Sequence, residues 1–121
     1  MSKCIMIVDD SASIRDSISF TLEPEGYTVL QAEHGEDGLA KLNAQPIDLV
    51  ITDLNMPVMN GFGFIRGARE CANGAGIPIV MLTTETKPEA KAEGKAAGAT
   101  GWLNKPFDTE KLISVVKKLV G

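Results

Sequence analysis

Two kinds of hydrophobic pattern alternate along this chain. Five short apolar segments, Cys4–Val8, Tyr27–Ala32, Ile47–Thr52, Ile77–Leu82 and Thr100–Asn104, recur with starts about 20 to 30 residues apart. Between them, apolar residues return at every third or fourth position, as with Ile14, Ile18 and Leu22 in the first interval and Leu112, Val115, Val116 and Leu119 in the last. That period predicts helices. Pro24 and Gly26 close the first helix and Gly98 the fourth, while Thr86 and Glu89 in the run Thr-Lys-Pro-Glu predict a capping box at the fourth helix's start. Lys117 and Lys118 sit at the end of the last helix, where they favour its dipole. The predicted order is βαβαβαβαβα. Segments such as Cys-Ile-Met-Ile-Val and Ile-Pro-Ile-Val-Met-Leu are apolar throughout rather than alternating, as a parallel sheet covered on both faces requires. The expected fold is α/β: one doubly wound, five-stranded parallel sheet flanked by five helices, formed by residues 1–121 as one domain.

Composition narrows the function classes. With 121 residues and 44% hydrophobic content, the chain has material for a core without disulfide or metal staples. Twelve Lys and Arg against 16 Asp and Glu give a net charge of −4, and no basic run is present, so the electrostatic footprint of nucleic-acid binding is missing. The longest uninterrupted apolar stretch, Cys4–Val8, is far too short for a membrane span, and the first residues lack a signal pattern. A cytoplasmic protein without linker, repeat or low-complexity tract is expected. Cys4 and Cys71 are far apart with no paired spacing, which predicts two buried thiols rather than a zinc or redox site. The single His34, in a loop-like stretch, makes no metal site by itself.

The polar residues that end the strands carry the chemistry. The first strand runs into Asp9 and Asp10, the third into Asp53, the fourth into Thr83 and Thr84, and the fifth into Lys105. In an open parallel sheet these ends share one edge, where ligands bind near the switch in strand order. Singly, each residue has an ordinary structural role: a helix cap for Asp10, a turn for Asp53, a strand position for Thr83 and a solvated charge for Lys105. Their shared placement at one end of four strands argues for a site. Three clustered carboxylates repel, one lysine does not balance them, and ligation by oxygen alone points to Mg²⁺. A metal, a hydroxyl, an ammonium and a central carboxylate suit phosphoryl transfer onto that carboxylate, with Asp53 as nucleophile and Asp9 and Asp10 as a metal-holding pair. The Gly61-Phe-Gly63-Phe-Ile-Arg-Gly67 run has one residue too many for a dinucleotide loop and follows a loop instead of a strand. Bound flavin is disfavoured, because Asp9 and Asp10 would repel its phosphate.

The motifs Val8-Asp9-Asp10-Ser11, Asp53-Leu-Asn-Met-Pro-Val-Met-Asn-Gly61, Pro78-Ile-Val-Met-Leu-Thr-Thr84 and Lys105-Pro106-Phe107 occur in this order. With them the chain resembles, over essentially its whole length, the receiver domain of two-component response regulators, particularly stand-alone chemotaxis proteins of the CheY type. The resemblance implies a flavodoxin-like, CheY-like fold with Asp53 as phosphoacceptor. It implies Mg²⁺ held by Asp10, Asp53 and the backbone carbonyl of Asn55, with Asp9 acting mainly through metal-bound water. Thr83 and Lys105 would engage the phosphoryl group, and the Lys105–Pro106 bond is expected to be cis. The family's switch couples the Thr83 position to an aromatic residue, here Trp102 where Tyr or Phe is more usual. Asn55 and Glu85 occupy the positions that tune phosphate lifetime, and this pair implies short-lived signals.

An output face around the fourth helix, fifth strand and fifth helix, including Lys87, Ala96, Ala97, Trp102 and Lys117, is implied as well. The implied partners are a CheA-like histidine kinase, a flagellar motor switch protein or other output protein, and a phosphatase. The implied setting is chemotaxis and flagellar rotation, with the protein a monomer that binds neither nucleic acid nor membrane. Such a domain assists its own phosphorylation and dephosphorylation and is not an enzyme on external substrates. A single-domain phosphorelay intermediate is the nearer alternative. An aspartate-nucleophile phosphatase of the haloacid dehalogenase type is the more distant one, since it wants a second Asp where Asn55 stands.

Overall fold

The computed structural model describes residues 2–120. The strands are β1 (Cys4–Val8), β2 (Thr28–Ala32), β3 (Leu49–Thr52), β4 (Ile79–Thr83) and β5 (Gly101–Asn104). The helices are α1 (Ala12–Leu22), α2 (Gly35–Ala44), α3 (Gly61–Glu70), α4 (Pro88–Ala97) and α5 (Thr109–Val120), with short 3₁₀ turns at Glu23–Glu25 and Ala72–Gly74. The sheet is parallel in the order β2-β1-β3-β4-β5, so the chain steps outward from β1 to β2 and then crosses back to β3. That reversal puts helices on both faces and opens a switch point between β1 and β3.

Two hydrophobic layers explain why the strands are apolar throughout. Met6, Val8, Val50, Ile79 and Met81 pack against Leu42, Phe64, Ile65 and Ala68 from α2 and α3. Ile5, Ile7, Leu49, Ile51, Val80 and Leu82 face the other way, onto Ile18 and Leu22 of α1 and Leu112 and Val116 of α5. Alternate residues of each strand thus enter opposite cores, and both sets must be apolar. No helix among the described residues is long and apolar enough to cross a membrane.

Several local expectations need correction. Tyr27, Ile47 and Thr100 lie outside their strands, as do Ile77 and Pro78, whereas β4 continues through Thr83. Proline brings no N–H to the ladder, and Pro78 contributes only its carbonyl, which accepts from the Val50 N–H at 3.0 Å. The Thr86–Glu89 capping box does not form. Lys87 is the N-cap of α4, without a side-chain cap, and Pro88 opens the helix. The Glu85 carboxylate instead accepts from the Thr86 and Lys87 N–H groups at 3.0 and 2.9 Å. Ser11, not Asp10, caps α1, accepting from the Ile14 N–H. His34 is no free loop residue, since its Nδ1 accepts from the Asp37 N–H and caps α2. Cys4 and Cys71 are half-buried rather than buried.

Arg69, near the end of α3, joins that helix to the far end of α4. Its guanidinium donates to the carbonyls of Gly98 (2.7 Å), Gly74 (2.8 Å) and Ile77 (2.6 Å). Close approach also matters at Gly38 of α2, where a Cβ would stand 2.8 Å from Phe64 Cε1 and 3.1 Å from Val8 Cγ2. Gly38→Ala is therefore expected to destabilise the fold by about 1–3 kcal/mol despite alanine's better helix propensity. Urea denaturation reads this, and an unchanged midpoint would show that the contact yields without cost.

Candidate functional site

The site grows out of strand order. Because β1 and β3 are neighbours in register, with Val8 opposite Thr52, the residues that follow them emerge side by side. The Asp53 N–H donates to the Val8 carbonyl at 2.8 Å, the Asp9 N–H to Ala32 at 3.1 Å and the Lys105 N–H to Thr83 at 2.9 Å, so the backbone ladder carries past the strands and fixes all three residues. Asp9 and Asp53 are buried and Asp10 is exposed, and one carboxylate oxygen from each lies within 4.8 Å of the others.

Lys105 enters this cluster from the fifth strand's end. Its Nζ stands 3.0 Å from Asp9 Oδ2 and 3.3 Å from Asp53 Oδ1. The Lys105–Pro106 bond is cis. Asp9 Oδ1 also accepts from the Ser11 N–H at 2.9 Å, and Asp53 Oδ1 from the Leu54 N–H at 2.8 Å. The contacts to the Asp53 side chain thus fall on Oδ1, leaving Oδ2 for an incoming group. Burial pushes the Asp53 carboxyl up, and although the Lys105 charge pulls it back, the neighbouring Asp9 charge adds to the rise and the net direction is upward. For Lys105, burial works against the ammonium, but its bonds and charge pairing with Asp9 and Asp53 outweigh burial and hold its pKa above the ordinary value. Three carboxylates against one ammonium remain under-neutralised. With oxygen donors only, the set fits a hard divalent cation such as Mg²⁺.

The remaining candidates form a second group beside the first. Thr83 is fully buried, and its hydroxyl accepts from the Glu85 N–H at 3.2 Å, so it belongs to the β4–α4 turn rather than to the carboxylate cluster. The Trp102 indole N–H donates to the Glu85 carbonyl at 3.2 Å. Its ring lies over Gly94 of α4, where a Cβ would come within 2.9 Å of Cζ3. Glu85 thus ties the hydroxyl and the indole to one loop. Thr84 and Asn55 are exposed.

Asn55 lies in the loop of residues 54–60. That loop is clipped at its base by the Gly61 N–H donating to the Leu54 carbonyl at 2.7 Å, and a Cβ on Gly61 would stand 2.5 Å from the Asp53 carbonyl oxygen. Within it Val58 has φ 69°, a left-handed conformation that costs a β-branched residue about 1–3 kcal/mol. Of the expected output face, Lys87, Ala96 and Lys117 are exposed and Trp102 is half-buried, but Ala97 packs into the core at 9% exposure and is removed from that surface. Two shallow grooves flank Trp102. One of about 310 Å³ is lined by Lys91, Lys95 and Thr100, and one of about 240 Å³ by Lys111, Val115 and Lys118.

Sequence reasoning missed Val58, the seat of Trp102 on Gly94, and the Arg69 staple. No residue pattern signals the first, since a valine after Met-Pro reads as an ordinary loop residue. The other two depend on distances between separate elements.

Comparison with known proteins supplies the context for this geometry. A family model described as the response regulator receiver domain matches residues 5–117. The chain is similar to the crystallised chemotaxis protein CheY4 of Vibrio cholerae, with 47% identity, a TM-score of 0.95, and 98% of this chain and 99% of that one covered. It is 36% identical to Protein PilH of Pseudomonas aeruginosa over 96% of each chain. A third likeness is the receiver domain of the Pseudomonas aeruginosa sensor histidine kinase PA1611, described with a magnesium ion coordinated in its active-site cleft. That match has 26% identity and a TM-score of 0.91, covering 100% of this chain and 99% of that one. The chain spans about half the length of other curated relatives, transcriptional regulators among them.

A raised Asp53 pKa has a defined effect on stability. Folding favours the protonated acid, so the contribution is full below the ordinary carboxylate pKa and is lost as pH rises through the folded value. Asp53→Asn, without metal, is therefore expected to melt above the wild type at pH 7, and the difference is expected to close below about pH 4. Thermal midpoints across that range test this, and a variant less stable than wild type at pH 7 contradicts it.

Proposed function

The chain belongs to the response regulator receiver domain family, and on that premise we propose that it is a phosphorylation-activated signalling switch of the chemotaxis type, accepting a phosphoryl group on Asp53 from a CheA-like histidine kinase. Receiver domains are signalling switches rather than enzymes on external substrates. The observation that carries the proposal is the under-neutralised cluster of Asp9, Asp10 and Asp53 with Lys105 bridging two of its members.

Each residue then has a task. Oδ2 of Asp53 attacks the phosphorus of the donor's phosphoimidazole, an O–P bond forms as the P–N bond breaks, and the electron pair returns to the ring nitrogen. Asp9, Asp10, Asp53 and the Asn55 carbonyl would hold Mg²⁺, which supplies positive charge to the phosphoryl oxygens as negative charge concentrates there. Lys105, already paired with Asp9 and Asp53, would add a second positive charge there. Thr83 exchanges the Glu85 N–H for a phosphoryl oxygen, turning its hydroxyl from acceptor to donor. Because Trp102 hangs from the Glu85 carbonyl, movement of that loop reaches the surface of α4, β5 and α5. Asn55 and Glu85, at the two variable positions flanking the phosphorylation site, would tune the phosphate lifetime. The lysine-lined grooves beside Trp102 suit an acidic segment of an output protein such as a flagellar motor switch component, and the whole cycle suits a cytoplasmic monomer.

The direct test is incubation with a phosphorylated histidine-kinase phosphodomain and Mg²⁺. Base-labile phosphate is expected on the wild type and none on Asp53→Asn, and a wild type without label overturns the reading. Magnesium alone should raise the thermal midpoint by mass action, worth about 2.7 kcal/mol at a hundredfold excess over Kd. Asp10→Asn should weaken that response strongly and Glu36→Gln hardly at all, and equal responses would place the ion elsewhere. Emission of Trp102 reports the switch: a beryllofluoride mimic should alter it more than Mg²⁺ alone, with Asp53→Asn silent. An unchanged spectrum in protein shown to bind the mimic assigns Trp102 to static packing on Gly94.

A further inference from the structure

Two large hydrophobic side chains among the described residues are broadly exposed, Phe20 at 83% and Val58 at 95%. Phe20 is the ninth residue of α1, about 12 Å along the helix from its start at the active edge of the sheet. Val58 belongs to that edge itself, five positions after Asp53 in the loop the acceptor opens.

Val58 carries two penalties with no return from folding. Its φ of 69° is one that Gly or Asn adopts with less strain, and its side chain packs on almost nothing. The backbone around it is nonetheless fixed on both sides. The Met59 N–H donates to the Pro57 carbonyl at 2.7 Å across Val58, and the Met59 side chain fills the space left by Gly35 and Gly63. Asn60 caps α3, and Gly61 clips the loop to Leu54. The result is a rigid pedestal that holds two methyl groups out to solvent.

The choice of occupant follows from access to Asp53, which is only 7% exposed. A histidine on another protein reaches that carboxylate only if the surface around it settles over the encircling loops, whereas a small phosphodonor needs no such cover. Exposed Asp10 and Glu33 lie on loops at the same edge and exposed Glu36 lies in the first turn of α2, so the complementary surface is an apolar recess with a basic rim. We propose that Val58 is a rigid apolar docking knob on the rim of the Asp53 pocket, engaged by the histidine-phosphorylated protein that donates to Asp53 and by no small phosphodonor. This rests on the phosphoacceptor role proposed above.

The experiment compares phosphoryl transfer from a labelled histidine-kinase phosphodomain with transfer from acetyl phosphate. Val58→Asn keeps the left-handed backbone accessible and removes the apolar group, and its thermal midpoint should equal or exceed the wild type's. With the protein donor, kcat/KM should fall about tenfold, mostly through KM, as expected when one apolar side chain loses its burial. With acetyl phosphate the rate should not change. Val58→Ile, which keeps the methyl groups, should retain the protein-donor rate. Equal losses with both donors would overturn the proposal in favour of a role in shaping the pocket, and no loss with either would overturn it outright. A wild type that accepts from neither donor defeats the phosphoacceptor reading itself and this inference with it.

Discussion

A single ammonium held between two buried carboxylates organises this molecule. Lys105 reaches Asp9 and Asp53 because β1 and β3 are adjacent and its side chain, from a backbone still paired to Thr83 of β4, extends along the edge of the sheet to them. The contact joins the ends of three strands that share no local sequence, and it leaves net negative charge in a place from which water is largely excluded. Such a cluster is far from its own electrostatic optimum. The site is therefore poised to respond to any added positive charge.

The second group, around Glu85, links the end of β4 to the indole that lies on α4. The Thr83 hydroxyl and the Trp102 indole both bond to the backbone of Glu85, one to its N–H and one to its carbonyl. These groups belong to the two successive peptide units on either side of the Glu85 Cα, so a rotation at Glu85 that serves one partner shifts the other. Gly94 completes the device, because any larger residue on α4 would displace the indole.

Much of this was readable in the residues, for physical reasons. Strands buried on both faces must be apolar throughout, and polar residues at their ends stand out against that background, so the sequence alone puts Asp9, Asp10, Asp53 and Lys105 at one edge, whereas Thr83, expected beside them, bonds into the β4–α4 turn. Ends of elements were less legible. Thr86 and Glu89 have the spacing of a capping box, yet the Glu85 carboxylate takes the nearby N–H groups, and Lys87 becomes the N-cap with proline after it. Ala97 looks like a surface residue in a run of small residues, but the helix turns it inward beside the core, a matter of angular phase in a segment with almost no apolar contrast. The strain at Val58 arises from a closed loop whose two ends meet in space, and composition carries no trace of it.

Arg69 and Lys105 are opposite solutions to fixing a cation. Arg69 meets neutral oxygens, the carbonyls of Gly74, Ile77 and Gly98 and, at 3.5 Å, the Thr100 hydroxyl, and burial lowers its pKa. With no formal counter-charge in the contact, the staple is nearly blind to ionic strength, while the Lys105 cluster is not. It also fastens α4 at one end. The Gly98 carbonyl is pinned, whereas Lys87 at the other end has no side-chain cap. Were Glu85 displaced, α4 would therefore behave as a lever with its fulcrum at Gly98, and the displacement of each exposed residue would scale with its distance from that pivot.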